Sequence, residues 1–294
     1  MKRFNITSVA MFLAIAASTL TSVWVSAGMP VEFVPSNEEV MVVWPNGAPN
    51  SNFAPVSVSD SVEWNAVDTP ILHVFPAENP IGKVVLMCPG GGYRHIGVQN
   101  EGYSFVPWYN DMGVDVAVLQ YRMPYGYPEV PLSDVHQSMR ILRDKFPGSR
   151  VGIQGFSAGG HLASMAATHY TDSVTRPDFQ ILFYPVIAVS GPNAHAGSSQ
   201  RLLGDNPTAE KVALYNNHLQ VTPDTPQAFI VHSSDDSIVP VANSLDYYSA
   251  LVANHVPASL IIYPYGDHGW GFAKGFVFFP MWTAELATWL SLLK

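Results

Sequence analysis

A single cysteine, Cys88, occurs in 294 residues, so no disulfide can form within the chain and stability must come from packing even in an oxidising compartment. Cys88 itself reads as a small apolar residue at a strand end, not as a reactive thiol. Charge is scarce as well: 13% of residues are charged, 14 Lys and Arg stand against 23 Asp and Glu, and the net charge is −9. No run of Lys or Arg occurs anywhere, which argues against nucleic acid as a partner. No repeat period, low-complexity tract or Pro/Gly-rich linker is present, so one domain is the expectation. There is no His-x-x-x-His pair and no Cys/His cluster, and neither a metal nor another cofactor is expected.

Long apolar runs are missing too, apart from one at the amino terminus. After Met-Lys-Arg, the stretch Val9 to Leu20 is largely apolar, and Val25-Ser26-Ala27 supplies the small residues at which signal peptidase cuts. The run is too short to span a bilayer comfortably, and no cysteine lies near the cut to carry a lipid. Residues 1–27 therefore read as a signal peptide cleaved near Ala27, and residues 28–294 as an exported protein, periplasmic or secreted, with no stable membrane span. Losing Lys2 and Arg3 takes the net charge from −9 to −11.

Short β-branched runs recur at 71–75, 83–88, 114–119, 151–154, 179–183, 228–232 and 259–263, and most are separated by helical periodicity. Leu132, Val135, Met139, Leu142 and Phe146 make one apolar stripe, and Val241, Leu245, Tyr248 and Val252 another. Strand and helix alternate, which predicts an α/β fold with a mostly parallel central sheet and helices on both faces. The segment from Ser190 to Pro226 breaks that rhythm. It reads as a small insertion over the carboxyl ends of the strands, with polar turns around Arg201 to Asp205 and a short helix at 208–216.

Ser157 stands between two glycines in GFSAGGHLA, after the strand candidate at 151–154 and before a helical stretch at 161–169. A serine on such a strand-to-helix turn projects its hydroxyl above the sheet, and the flanking glycines allow close backbone approach. A hydroxyl becomes an effective nucleophile when a base takes its proton, so a histidine and an orienting acid are needed. His268, in GDHGWGF between the last strand and the terminal helix, is the best placed histidine. Asp236 and its neighbour Asp235 both follow the strand ending at His232, and position along the strand does not choose between them. His161 and His232 are read as structural.

Negative charge on a former carbonyl oxygen needs preorganised N–H donors. Gly91 and Gly92 in CPGGGY, with Ala158 directly after the serine, are the candidates. A phosphate cradle is the competing reading of this Gly run. It fails because no Gly-Lys-Ser/Thr follows and His95 occupies the sixth position of a would-be Gly-x-Gly-x-x-Gly. Tyr93, Arg94, Trp270 and Phe272 flank these groups and are candidate substrate contacts; the alternative for Trp270 and Phe272 is packing beneath the His268 loop.

The motifs CPGGGYRHIGVQNEG, LQYRMP, GFSAGGHLA, GSSQRLLGDN, HSSDDSIVP and GDHGWGF, after VWPNGAPN near the amino terminus, together resemble the α/β-hydrolase superfamily. The resemblance is specifically to its bacterial carbohydrate-esterase branch of acetyl xylan and feruloyl esterases. The resemblance implies that the acid is Asp236, four residues after His232 and four before Pro240. It also implies a Ser157–His268–Asp236 esterase that deacetylates xylan or xylo-oligosaccharides. Pro89 departs from lipase-like esterases, which often carry His at that point. A feruloyl esterase with the same triad is the nearest alternative, with acetylated or feruloylated plant polysaccharide or oligosaccharide as the partner in either case. A non-catalytic carbohydrate-binding relative is the alternative of a different class.

Overall fold

The β-branched runs form strands because parallel strands covered on both faces need nearly continuous apolar sequence. The computed structural model describes residues 34–51 and 69–293; the expected leader, residues 1–27, lies outside them. In chain order the strands are β1 (Glu39–Val42), β2 (Ile71–Phe75), β3 (Lys83–Cys88), β4 (Asp115–Gln120), β5 (Arg150–Phe156), β6 (Gln180–Phe183), β7 (Ala228–Ser233) and β8 (Ala258–Tyr263). They make one sheet in the order β1-β2-β4-β3-β5-β6-β7-β8. The first two strands pair antiparallel, and from β4 through β8 every pairing is parallel. This is an α/β-hydrolase fold. β1 is absent from the sequence expectation because it is a four-residue edge strand with Val40 and Val42 facing solvent.

The helices are α1 (Val98–Glu101), α2 (Val106–Asp111), α3 (Glu129–Lys145), α4 (Ser157–Thr168), α5 (Ala196–Leu203), α6 (Ala209–Tyr215), α7 (Ala242–Ala253) and α8 (Phe279–Leu292). Parallel crossovers are right-handed. The step from β3 to β4 runs opposite along the sheet to every later step, so α2 lies on one face while α3, α4 and α7 lie on the other. Trp282 of α8 meets Phe105 and Trp108 at ring separations of 5.7 and 5.9 Å, which puts α8 on the α2 face. Cys88 is fully buried at the end of β3, where burial pushes its thiol well above the ordinary range.

Two expectations need correction. Arg201 to Leu203 are not a polar turn but the last turn of α5; the helix ends at Gly204, whose φ is +83°. The stripe Val241, Leu245, Tyr248 and Val252 is not the inner face of α7, since Leu245 and Val252 are 43% and 50% exposed. The buried face carries Asn243, Ser244, Tyr247 and Leu251. Polar groups are admitted there because each has a partner. Asn243 Oδ1 accepts the N–H groups of Ile187 and Ala188, Ser244 Oγ meets His232 Nδ1 at 2.8 Å, and Tyr247 donates to Gln180 Oε1.

Asp134 of α3 joins two strings that are far apart in sequence. Its buried carboxylate pairs with Arg122 of LQYRMP, Nη2 to Oδ1 at 2.6 Å, and accepts the indole N–H of Trp44 of VWPNGAPN at 2.8 Å. Arg122 Nη1 continues to the carbonyl of Asn50. Burial pushes the Asp134 carboxyl up while Arg122 pulls it down. Removing one charge of a buried pair strands the other. Asp134→Asn is therefore expected to lose about 3–5 kcal/mol of unfolding free energy, read as a lowered urea midpoint; a loss below about 1 kcal/mol would contradict this account.

Candidate active site

The carboxyl ends of β3, β5, β7 and β8 each carry one part of the site. Because β3 pairs with β5 and β7 with β8, the Gly run adjoins Ser157 and Asp236 adjoins His268. The chain leaves β5 in extended conformation at Phe156 and enters α4 at once, with Ser157 held at φ +51°. A non-glycine residue in that region stores backbone strain, which persists only where its surroundings impose it. The close packing here needs Gly155 and Gly159: a Cβ on Gly155 would fall 2.2 Å from the Gly159 carbonyl oxygen, and one on Gly159 would fall 2.0 Å from that of Cys88.

Ser157 Oγ lies 2.9 Å from His268 Nε2, and His268 Nδ1 lies 2.7 Å from Asp236 Oδ2. An ionised carboxylate only accepts, so Nδ1 carries the hydrogen, and in the neutral ring Nε2 is left to receive the Ser157 proton. Asp236 is enclosed by donors. Oδ2 also accepts from His232 Nε2 at 3.1 Å, and Oδ1 accepts the N–H groups of Ile238 and Val239. Burial alone would raise the Asp236 carboxyl, but these bonds and the nearby His268 hold it well below the ordinary carboxylate range.

Asp235 is exposed, and its carboxylate bonds the backbone of the histidine loop. It accepts the backbone N–H of Asp267, whose own carboxylate accepts from the N–H and hydroxyl of Ser237. The two acidic neighbours thus divide the tasks: Asp236 meets the imidazole and Asp235 ties the two loops together.

The amide N–H groups of Gly91, Gly92 and Ala158 have no hydrogen-bond partner among the described residues. All three belong to segments beside Ser157, and Gly91 and Gly92 line the same cavity of about 330 Å³ as Ser157 and His268. The turn is stabilised from behind by Glu101 at the end of α1. Its Oε2 accepts the Gly90 N–H at 2.7 Å, and Oε1 accepts the Tyr184 hydroxyl at 2.8 Å. Tyr184 in turn receives the Gly271 N–H and sets its ring 4.8 Å from that of His268. Burial pushes the Glu101 carboxyl up, opposed by the bonds from Tyr184 and Gly90 and by the nearby His268.

Glu101, Tyr184 and the contact of His232 with Asp236 were not assigned roles from the sequence. Glu101 lies within the CPGGGYRHIGVQNEG string, but a lone carboxylate on a one-turn helix has no periodicity to reveal it. The proposed substrate contacts separate. Arg94 lines an adjoining cavity. Tyr93 is buried, with its hydroxyl 3.0 Å from His161 Nδ1. Trp270 stacks on Phe276 and donates its N–H to Ser233, while Phe272 packs against Phe105. Neither ring lines the Ser157 cavity; both gain more by completing the aromatic layer under the loop.

His161 is fully buried and its Nε2 meets the Tyr215 carbonyl oxygen; burial, partly opposed by that bond, pushes its pKa down to about 4. His232 uses Nδ1 toward Ser244 and Nε2 toward Asp236 and Val239. Among the described residues no group of three or more His, Cys, Asp or Glu side chains is arranged to hold a metal ion. No helix among them is long and apolar enough to cross a membrane.

Comparison with known proteins follows the same lines. The chain is 39% identical over 225 residues to an acetylxylan esterase of Xylanibacter ruminicola, covering 74% of this chain and 47% of that protein. It is 34% identical over 218 residues to endo-1,4-beta-xylanase B of Butyrivibrio fibrisolvens, covering 68% and 34%. The chain thus spans about half and a third of the length of these two relatives. The crystal structure of an acetyl ester-xyloside bifunctional hydrolase from Caldicellulosiruptor lactoaceticus superposes with a TM-score of 0.72 at 34% identity, covering 88% of this chain and 97% of that one. The BD-FAE family profile matches residues 74–251, more than half of the chain, and the chain belongs to the BD-FAE family of α/β-hydrolases.

Proposed function

We propose that this chain is an exported serine carboxylic ester hydrolase that removes acetyl groups from xylan or xylo-oligosaccharides. The observation that carries the reading is the continuous hydrogen-bond line from Ser157 through His268 to Asp236, opening into a cavity that Gly91 and Gly92 also line. Ser157 Oγ attacks the ester carbonyl as His268 Nε2 takes its proton. Charge developing on the carbonyl oxygen is met by the amides of Gly91, Gly92 and Ala158. His268 then passes the proton to the departing sugar oxygen, leaving an acetyl group on Ser157. Water, deprotonated by the same nitrogen, releases acetate and restores the serine. Asp236 keeps Nδ1 protonated and offsets the positive charge on the ring in both steps.

The acetyl reading is favoured over feruloyl by the cavity wall. Apart from His95, His195 and His268, the side chains around Ser157 are Ile238, Asn100 and Glu101, and the wall between them is glycine backbone. A cinnamoyl ring asks for an apolar slot, and Trp270 and Phe272, which could have formed one, are committed to the core. The relatives named above support a xylan-derived substrate. Export rests on the leader-like residues 1–27.

Acetate release from acetylated xylo-oligosaccharides is expected to exceed ferulate release from feruloylated ones by at least about a hundredfold in kcat/KM, a difference of roughly 3 kcal/mol, and Ser157→Ala is expected to abolish both. Faster ferulate release would reverse the acyl assignment. Asp236→Asn is expected to lower turnover by up to about four orders of magnitude, because an amide donor at Nδ1 favours the wrong tautomer. Asp235→Asn keeps an oxygen for the Asp267 N–H and should cost less than about tenfold, or 1.4 kcal/mol in barrier. Turnover of a small acetyl ester by both variants, matched for folding, decides this; the opposite ranking would misplace the acid.

A further inference from the structure

Glu101 lines the Ser157 cavity, yet the ester cleavage described above gives it no task. It is almost fully buried, and burying a charge is costly. The position a Cβ would take on Gly90 lies 2.9 Å from both Glu101 Oε2 and Ser157 Cβ, and 2.6 Å from the Phe156 carbonyl oxygen. Gly90 is thus wedged between the carboxylate and the nucleophile. A negative charge so near the ester carbonyl opposes the charge that develops on its oxygen. Its presence there calls for a compensating role.

Two unusual backbone turns meet at this carboxylate. In the first, Gly91, Gly92 and Tyr93 have φ of 131°, 64° and 56° in succession. Gly90, just before them, is held at both ends: Glu101 Oε2 accepts its N–H at 2.7 Å, and its carbonyl accepts the Gly97 N–H at 2.9 Å. The Tyr121 hydroxyl donates to the Pro89 carbonyl at 2.7 Å. This anchored start sets the direction in which the turn leaves β3. In the second, Tyr184 follows β6 with φ +35°. Its oxygen accepts the Gly271 N–H at 2.8 Å, so its own hydrogen is directed to Glu101 Oε1. Each carboxylate oxygen therefore meets a donor, which suits the ionised form.

The charge has a further consequence. Tyr184 sets its ring 4.8 Å from that of His268, which becomes positive when it takes the Ser157 proton. Asp236 meets this imidazole directly, and Glu101 lies beyond Tyr184. Other ionisable groups stand nearby: His95 and His195 line the same cavity, Tyr121 is behind the Gly run, and Asp235 and Asp267 belong to the loops that carry Asp236 and His268. Asp235 and Asp267 are exposed, whereas Asp236 and Glu101 are buried, where salt and water screen them less. We propose that Glu101 is a positioning residue for ester cleavage: through Gly90 it sets the turn bearing Gly91 and Gly92, through Tyr184 it sets the His268 loop, and its charge is a second countercharge for the imidazolium. The proposal rests on the serine-esterase reading above and deepens it.

The test compares variants with the unsubstituted protein on a small aryl acetate, with kcat counted per folded chain so that lost stability does not register. Glu101→Gln keeps an oxygen for the Gly90 N–H but removes the charge and turns an N–H toward Tyr184. It is expected to lower kcat at least about tenfold with KM within about twofold, and to move the acid limb of the kcat/KM profile down by about half a pH unit or more. The sign follows from the imidazolium losing a countercharge. Glu101→Ala, which also frees Gly90, is expected to lose about a hundredfold or more in kcat. Where that variant does not fold, Tyr184→Phe supplies the second measurement. It leaves the Gly90 bond in place and is expected to cost less, and combined with Glu101→Gln the loss is expected to be smaller than the product of the two single losses. An unchanged kcat in Glu101→Gln, a loss confined to KM, an unmoved acid limb, or single losses that multiply in the double variant would each overturn the proposal. Failure of the unsubstituted protein to cleave the ester would instead overturn the serine-esterase reading, an outcome visible before any variant is made.

Discussion

A carboxylate taken out of water must be given donors, and Asp236 receives four of them from three places: the ring of His232 on β7, the ring of His268 beyond β8, and two amides of its own loop. That requirement organises this side of the site. The adjacency of β7 and β8 is what allows the donors to converge. The geometry also selects a tautomer, since an acceptor-only oxygen at Nδ1 leaves Nε2 bare toward Ser157. His232 takes part in the same enclosure without facing substrate. Its Nε2 is shared between Asp236 and the Val239 carbonyl, both acceptors, so the ring N–H lies at Nε2 and fixes the carboxylate from behind.

The other half of the site depends on backbone approach. Gly159, in the first turn after Ser157, lies so close to the carbonyl of Cys88 that any side chain there would force β3 and α4 apart. Glu101 then links the Gly run to Tyr184, and Tyr184 reaches the histidine loop through Gly271. Asn100 reinforces the same joint, donating to the Gly269 carbonyl and accepting the Phe272 N–H. The Gly-run turn and the His268 loop are thus fastened to one short helix, so that movement of either is opposed by buried hydrogen bonds.

Much of this architecture is legible in the sequence because parallel strands demand continuous apolar runs and because the nucleophile turn demands small residues at fixed offsets. Ser157 and Asp236, singled out with His268 from loop position and family resemblance, are each brought within hydrogen-bond distance of the His268 ring. What escapes is physically of one kind. The buried stripe of α7 is polar and satisfied by hydrogen bonds, so a hydrophobic scan selects the wrong face. Glu101 sits on a helix of a single turn, and β1 is too short and too exposed to announce itself. Trp270 and Phe272 look the same in sequence whether they meet a ligand or a core, and only the surrounding rings decide the matter.

The central claim is that Ser157 carries the acyl group between the two steps. It is tested most directly by treating the protein with a p-nitrophenyl alkylphosphonate, which captures an activated serine as a stable tetrahedral adduct, and mapping the added mass by peptide sequencing. The account predicts one adduct per chain, on Ser157, and no labelling of the Asp236→Asn protein on the same timescale. An adduct on another residue, or no adduct in a protein that still cleaves acetyl esters, would contradict it.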